Sequence, residues 1–176
     1  MVEDVIRSER LELPLLSLPQ LERLAAGDGE AVAAELGAVL PAPWVAEVSW
    51  LAALRAQQLR LRPGDGPWLL RPILVVGSDG SRTAIGYLNF HAAPNADGQV
   101  EVGYTLLPEA RGNGYAIEAV RAAFDWARRE HGVHRFRAAV APDNERSRNL
   151  ILKLGFQQTG EQWDEVDGLE LVYELG

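Results

Sequence analysis

The segment 106–116 constrains the fold of this chain most, because it places two glycines between a predicted strand and a predicted amphipathic helix. Gly112 and Gly114 permit backbone angles that turn several consecutive N–H groups to one side, and the start of a helix adds a partial positive charge. A pyrophosphate or a similar anion fits such a loop, and Arg111 adds a fixed cation. The segment therefore predicts an anion site or, in the simpler interpretation, a plain turn from strand to helix.

Two common nucleotide-binding motifs are excluded at this loop. A Rossmann dinucleotide site needs a third glycine where this chain has Ile117, and no G-x-x-x-x-G-K-[ST] segment occurs in the chain. The absence of cysteine also excludes disulfides, cysteine metal sites and a thiolate nucleophile. We therefore expect an anion-binding loop of another kind and no metal site.

Hydrophobic periodicity indicates an α+β fold with a mixed sheet, in one domain that covers residues 1–176. Ser17 and Gln20 form an S-x-x-Q capping box that opens a helical region extending to residue 61. Apolar residues three and four positions apart predict a helix over 116–130, which Gly132 ends. A further helix is predicted at 144–154, and strands at 10–13, 69–76, 83–91, 100–107, 135–140, 157–166 and 169–175. The three strands in the middle are expected to form an antiparallel meander.

The formal net charge of −8 opposes nucleic-acid binding, because nonspecific affinity for phosphate backbones comes from Lys and Arg. An acidic field instead favours a cationic partner such as an amine, unless the charge serves solubility alone. No apolar run approaches the ~20 residues of a membrane-spanning helix. We predict a cytoplasmic protein without a nucleic-acid or membrane partner.

The glycine segment resembles a known family. Arg111, Gly114 and Ala116 match the R/Q-x-x-G-x-G/A signature of GNAT acetyltransferases, and the stretch 101–119 is similar to the RimJ and RimL branch of ribosomal-protein amino-terminal acetyltransferases. A second block matches that branch's N-x-x-S and K-x-G-F patterns at Asn144, Ser147, Lys153, Leu154, Gly155 and Phe156. The resemblance implies the GNAT fold, with a central, mixed, mostly antiparallel and splayed sheet flanked by helices.

The resemblance also implies acetyl-CoA as cosubstrate and assigns the residues that hold it. Backbone groups of Thr105, Leu106 and Leu107 would hydrogen-bond the pantetheine arm, and an N–H near Leu106 would stabilise the oxyanion. Asn144 would bind the pantetheine amide, although an Asn at this position is also a favourable helix N-cap. The pyrophosphate would lie against the backbone amides of Arg111, Gly112, Asn113, Gly114, Tyr115 and Ala116.

An amine acceptor must lose a proton before it attacks the thioester, so the site requires a base. The resemblance points to Glu101, whose simpler interpretation is an exposed or ion-paired carboxylate. His91 is the alternative base or a surface histidine, and both residues are expected near the acceptor. Many GNAT enzymes protonate the leaving thiolate with a tyrosine seven residues after the asparagine, where this chain has Ile151. The thiolate would then receive its proton from Ser147 or from a water, or it would leave unassisted.

The acceptor pocket is expected between the amino-terminal helices and the final hairpin, with Trp50 as an aromatic wall. Trp44, Trp68 and Trp163 are further candidates, although each tryptophan is more often a core residue. The predicted reaction is direct acetyl transfer, in a ternary complex, to a primary amine of a protein amino terminus or a small molecule. The alternatives are a catalytically silent acyl-CoA sensor and a structural protein in which the glycine turn is only a turn. The final hairpin offers an edge for a homodimer.

Overall fold

A computed structural model describes residues 5–176 of the chain. Its eight strands are β1 to β8, in chain order Val5–Arg7, Leu11–Pro14, Arg71–Val76, Arg82–Phe90, Gln99–Leu106, Arg135–Val140, Gln157–Asp164 and Gly168–Leu175. Its five α-helices are α1 to α5, in chain order Leu18–Ala25, Gly29–Leu36, Ala42–Leu61, Tyr115–His131 and Glu145–Lys153. Every predicted strand and helix after residue 61 has a counterpart here, whereas β1 was not predicted.

The strands form one mixed sheet in the order β1-β2-β3-β4-β5-β6-β8-β7. All neighbouring strands are antiparallel except β5 and β6, which are parallel. The three middle strands form the predicted antiparallel meander. The last strand, β8, lies between β6 and β7, so β7 is the outer strand at that edge of the sheet. The predicted α+β class with a mixed, mostly antiparallel sheet flanked by helices is confirmed.

Two hydrophobic clusters cover opposite faces of the sheet. Helices α4 and α5 contribute to the first cluster, in which Phe124, Phe136 and Ile151 are buried. Helices α1 to α3 contribute to the second, around Trp44 and Leu107. Side chains alternate along a strand, and β5 therefore sends its even-numbered residues to the first cluster and its odd-numbered residues to the second face.

Local signals in the sequence explain several of the helix ends. Ser17 accepts a hydrogen bond from the Gln20 N–H and the Gln20 side chain bonds back to Ser17, which confirms the capping box. Gly132 ends α4 in the left-handed conformation, with φ of 64°, where a side chain would be strained. Within residues 5–176, no helix is long and apolar enough to cross a membrane.

Candidate active site

The central feature of the site is the divergence of the parallel strands β5 and β6. They pair only from Gln99 to Glu101, opposite Arg135 to Arg137. On its other edge, β5 stays paired with β4 as far as Leu106. The second half of β5 therefore has a hydrogen-bonded neighbour on one edge and an open cleft on the other.

Backbone hydrogen bonds show which groups of β5 face this cleft. The His91 N–H donates to the Glu101 carbonyl, at 2.9 Å, and the Leu107 N–H donates to the Ile85 carbonyl, at 2.7 Å. In an antiparallel ladder the residues that bond to one neighbour alternate with those that point away from it. The odd-numbered residues thus turn their N–H and C=O groups toward β4, and Tyr104 and Leu106 turn theirs toward the cleft.

Side chains from three parts of the chain line the cleft, which has a volume of about 130 Å³. The lining comes from β5, from the glycine segment and from the start of α5. Its members are Tyr104, Thr105, Leu106, Arg111, Ala116, Asn144, Arg146, Ser147 and Leu150. The structure thus brings together Thr105, Leu106 and the two motif blocks, which lie about 30 residues apart in the sequence.

The glycine segment presents free N–H groups to one end of the cleft. Gly112 and Gly114 have positive φ angles of 82° and 77°, and Gly114 is the N-cap of α4 without a side-chain capping bond. The first intrahelical bond there runs from the Glu118 N–H to the Gly114 carbonyl, which leaves the N–H groups of the first turn available. Asn113 fixes the loop by donating its side-chain amide to the carbonyls of Ala110 and Arg111.

Cationic side chains surround this loop in a protein whose net charge is −8. Arg111, Arg146 and Lys153 line an extension of the cleft that runs past Gly112 and Gly114. Free helix N–H groups and nearby cations are the donors that bind a diphosphate. The residues present therefore fit the pyrophosphate of a CoA-type ligand.

At the other end of the cleft, Asn144, Ser147 and Tyr104 form a polar group. The Asn144 Oδ1 accepts a hydrogen bond from the Ser147 N–H, at 3.1 Å, so Asn144 is the N-cap of α5. The Ser147 Oγ lies 2.9 Å from the Tyr104 hydroxyl, in a hydrogen bond. Burial raises the pKa of Tyr104 above its ordinary value, although the bond to Ser147 lowers it. The phenol therefore remains a proton donor at neutral pH.

The opposite face of β5 carries a charged cluster around Glu101. The Arg137 Nη1 donates to the Glu101 Oε2 at 2.9 Å, and the His91 Nδ1 lies 3.5 Å from the same oxygen. Burial raises the pKa of Glu101, but the contacts with His91 and Arg137 outweigh it and hold the pKa below its ordinary value. Glu101 is therefore ionised at neutral pH and is a weak proton acceptor there. The structure thus agrees with the interpretation of Glu101 as an ion-paired carboxylate.

Other sequence-based candidates lie away from both regions. Leu107 is buried in the second cluster and its N–H bonds to Ile85. Trp50 lies on the outer side of α3 with 61% of its surface exposed, and it is not among the residues that line the cleft or the pocket beside Glu101. Trp44 and Trp68 are core residues, whereas Trp163 is exposed near the tip of the final hairpin. None of these tryptophans forms a wall beside Glu101.

Some residues of the site were missed in the sequence. Tyr104 lies at the cleft because the even-numbered side chains of β5 point to that face of the sheet. Arg137 reaches Glu101 because β6 lies beside β5. The alternation of side chains along the predicted strand could have identified Tyr104. The neighbour of β5 could not be read from the chain, and so neither could the ion pair of Arg137. Ile151 is fully buried in the first cluster, so it contributes to the core and not to the cleft.

Comparisons with known proteins agree on one family. The model of the acetyltransferase (GNAT) domain matches residues 10–157. The uncharacterized N-acetyltransferase YoaA of Bacillus subtilis (strain 168) is 36% identical over 80 residues, 46% of this chain and 45% of that protein. The ribosomal protein uS5-alanine N-acetyltransferase of Escherichia coli (strain K12) is 36% identical over 59 residues, 34% of this chain and 30% of that protein. Each alignment thus spans less than half of the relative's own length.

A solved structure matches over nearly the whole fold. The microcin C7 self-immunity acetyltransferase MccE, in complex with acetyl-CoA and AMP, superposes with a TM-score of 0.64 at 16% sequence identity. The match covers 95% of this chain and 92% of that one. At this identity the similarity establishes the shared fold.

Proposed function

This chain belongs to the GNAT acetyltransferase family, and we propose that it transfers the acetyl group of acetyl-CoA to a primary amine of a protein amino terminus or a small molecule. The reaction is a direct attack of the amine on the thioester in a ternary complex. The uS5-alanine N-acetyltransferase among the relatives confirms the predicted resemblance to the RimJ and RimL branch.

The observation that carries this proposal is the open edge of β5 beside the glycine loop. Tyr104 and Leu106 turn backbone groups to a cleft that ends at the first turn of α4. A pantetheine arm can bind there as an added strand, with its diphosphate on the N–H groups of residues 112–116. The Arg111 N–H is used within the chain, since it donates to the Pro108 carbonyl at 3.3 Å. That MccE was solved with acetyl-CoA supports a CoA-type donor in this fold.

The polar groups of the cleft then have specific roles. The Leu106 N–H stabilises the oxygen of the attacked carbonyl, a type of contact worth about 3 kcal/mol. Asn144 donates its amide to the pantetheine arm while its Oδ1 caps α5. Ser147, hydrogen-bonded to Tyr104, returns a proton to the leaving thiolate.

The acceptor approaches from the face of β5 that carries Glu101. An ammonium group is attracted by this ionised carboxylate and by the net charge of −8. The amine must then lose one proton before it attacks and a second as the amide forms. With one proton passing to the thiolate, the reaction releases one proton to solvent.

Calorimetric titration with acetyl-CoA tests the donor site. The Gly114→Asp variant places a carboxylate at the proposed diphosphate position and should bind acetyl-CoA at least 100-fold more weakly than the unmodified chain. Gly80→Asp is a matched control, because Gly80 also has positive φ, at 81°, but lies in the turn between β3 and β4 and does not line the cleft or its extension. Equal affinity in the unmodified chain and in Gly114→Asp would contradict this donor site.

A thiol-release assay over a panel of amines tests turnover. The panel contains peptides with free amino termini, polyamines, amino acids and aminoglycosides. The absence of cysteine means that the protein contributes no thiol background. Thiol release with at least one amine supports the enzyme, whereas tight binding of acetyl-CoA without release across the panel supports the sensor alternative.

A further inference from the structure

The imidazole of His91 lies over a strand residue that has no side chain. His91 directly follows β4, and an ideal Cβ placed on Gly103 of β5 would lie 2.9 Å from the His91 Nε2. Such a contact is closer than real Cβ atoms show, so a side chain on residue 103 would displace the ring from this position. The side chain of His91 is 46% exposed, and an acceptor molecule can therefore reach it.

The two nitrogens of the ring have different surroundings. Nδ1 lies 3.5 Å from the ionised Glu101 carboxylate, which favours the proton on Nδ1. Nε2 then carries the lone pair, and it lies over Gly103 on the face from which the acceptor approaches. In this tautomer Nε2 is the nitrogen that can accept a proton.

A buried polar network fixes the backbone of His91. The Arg55 guanidinium donates twice to the Asn89 Oδ1, at 3.0 and 2.7 Å. The Gln58 amide donates to the His91 carbonyl at 2.8 Å and to Asp65 at 2.7 Å. Asp65 in turn accepts from the Ala93 N–H at 3.1 Å. Arg55, Gln58, Asp65 and Asn89 are all buried, and they rigidly position the start of the loop that holds the imidazole.

We propose that His91 accepts the proton of the attacking amine and that Glu101 is the positioning residue that orients its ring. This inference rests on the proposed acetyl transfer. The amine proton passes to Nε2 directly or through one water, and the freed nitrogen pair forms the bond to the acetyl carbon. The C–S bond breaks with its electron pair on sulfur, and the thiolate takes a proton from Ser147. The second proton that the nitrogen loses restores the Ser147 hydroxyl, and the imidazolium releases the first proton to solvent.

Charged groups on three elements surround the ring of His91. Glu101 on β5 stabilises the imidazolium that forms during the reaction, and Arg137 on β6 contacts the same carboxylate oxygen. Arg55 on α3 places its Nη1 3.4 Å from the His91 carbonyl oxygen. Asp65 partly offsets the positive charge of Arg55.

Nitrogen NMR tests the geometry without any acceptor. The chain has three histidines, and the signals that disappear in His91→Asn identify those of His91. In the unmodified protein we expect Nδ1 to carry the proton of the neutral ring, and in Glu101→Gln this preference for the Nδ1 tautomer should weaken. A neutral form protonated on Nε2, with no change in Glu101→Gln, would overturn the positioning role.

Kinetics with the amine selected by the panel tests catalysis. His91→Asn should lower kcat by about 10²- to 10³-fold with an unchanged KM for acetyl-CoA. Glu101→Gln should lower kcat by only about 10-fold with an unchanged KM for acetyl-CoA, and Glu101→Asp should partly restore kcat. The control His134→Asn, at an exposed position, should behave as the unmodified enzyme.

The opposite ranking would overturn the inference. If Glu101→Gln abolishes turnover while His91→Asn retains it within about threefold, Glu101 is itself the base. A failure of the proposed function is distinguishable, because the unmodified protein then shows no turnover with any amine, whereas here the unmodified protein is active and only the variants differ.

Discussion

The two faces of β5 are built by different means. On the cleft face, the donor site consists largely of backbone groups, namely the N–H groups of the glycine loop and of Leu106, which follow from local turn and strand geometry. On the opposite face, the cluster of Glu101, His91 and Arg137 consists of side chains from β5, from β6 and from the residue that follows β4, supported by a buried network from α3. The comparison indicates that the donor site depends on local conformation and the acceptor side on long-range packing.

The largest effect is expected from removal of the buried cation on the acceptor side. Arg55→Met leaves the Asn89 Oδ1 and the Gln58 Oε1 without the guanidinium that donates to them, and breaking a buried polar network of this kind costs about 3 kcal/mol of the free energy of unfolding. For a domain of this size the melting temperature should fall by about 6–12 °C. Thermal unfolding followed by circular dichroism measures the change.

The matched control is Arg62→Met. Arg62 also contacts Asp65, at 3.4 Å, but its side chain is 68% exposed, so its loss should cost less than about 1 kcal/mol. Equal losses of unfolding free energy in Arg55→Met and Arg62→Met would show that the buried network adds no special stability. The acceptor side would then not depend on long-range packing as the comparison states.

The next largest effect is expected where side chains do contribute to the donor side. Tyr104→Phe and Ser147→Ala should each lower kcat about 10-fold, and the double variant should lower it no further, because the two hydroxyls act as one hydrogen-bonded unit. Steady-state kinetics on the three variants measures the coupling. The control Tyr173→Phe removes a hydroxyl that bonds to Arg148 instead and should leave kcat unchanged. Additive losses of kcat in the Tyr104 and Ser147 variants would show that the two hydroxyls act independently.

A smaller effect separates the two roles of Asn144. Asn144→Asp keeps an oxygen that can cap α5 but removes the amide donor, so the stability should be retained while acetyl-CoA affinity falls about 3- to 10-fold. Asn144→Ala should lose the same affinity and also about 1 kcal/mol of stability. Calorimetric titration and thermal unfolding measure the two quantities. Full affinity in Asn144→Asp would reduce Asn144 to a helix cap.

The smallest effect concerns a long-range contact that supports the glycine loop. Glu118 in the first turn of α4 accepts hydrogen bonds from Ser8 and from the backbone and side chain of Arg10. Burial raises the pKa of Glu118, but these bonds outweigh it and lower the pKa below the unfolded value. The stabilisation is therefore present above the unfolded value of about 4.3 and is lost as the pH falls through the folded pKa.

Glu118→Gln should accordingly cost about 1 kcal/mol at pH 7, and the difference from the unmodified chain should shrink toward pH 3. Urea unfolding at several pH values measures this dependence. Asp125→Asn, whose partner contact with Arg128 is exposed, should show no such trend. A loss of acetyl-CoA affinity in Glu118→Gln would show that the donor site also depends on long-range side chains.

Much of the fold could be predicted because its signals are local. The capping box at Ser17 and the glycine stop at Gly132 each act over a few residues, and both helix ends lie where they were expected. The turn of the final hairpin was expected at Asp167 and Gly168 but lies at residues 165–167, with Asp164 already paired with Gly168. The insertion of β8 between β6 and β7 is different. Strand order depends on contacts between distant segments, and alternation along one strand does not specify its neighbour.

The candidate site divides in the same way. The sequence alone determined the glycine loop, since positive φ at Gly112 and Gly114 and the free N–H groups of a helix start are properties of adjacent residues. Only the tertiary structure decided that Tyr104 meets Ser147 across 43 positions and that Arg137 engages Glu101 across 36. It likewise placed His91 above Gly103. The conformation of a backbone loop depends on adjacent residues, so the sequence determines it locally. The partner, the burial and the pKa of a side chain depend on distant segments and are fixed only when the sheet has assembled.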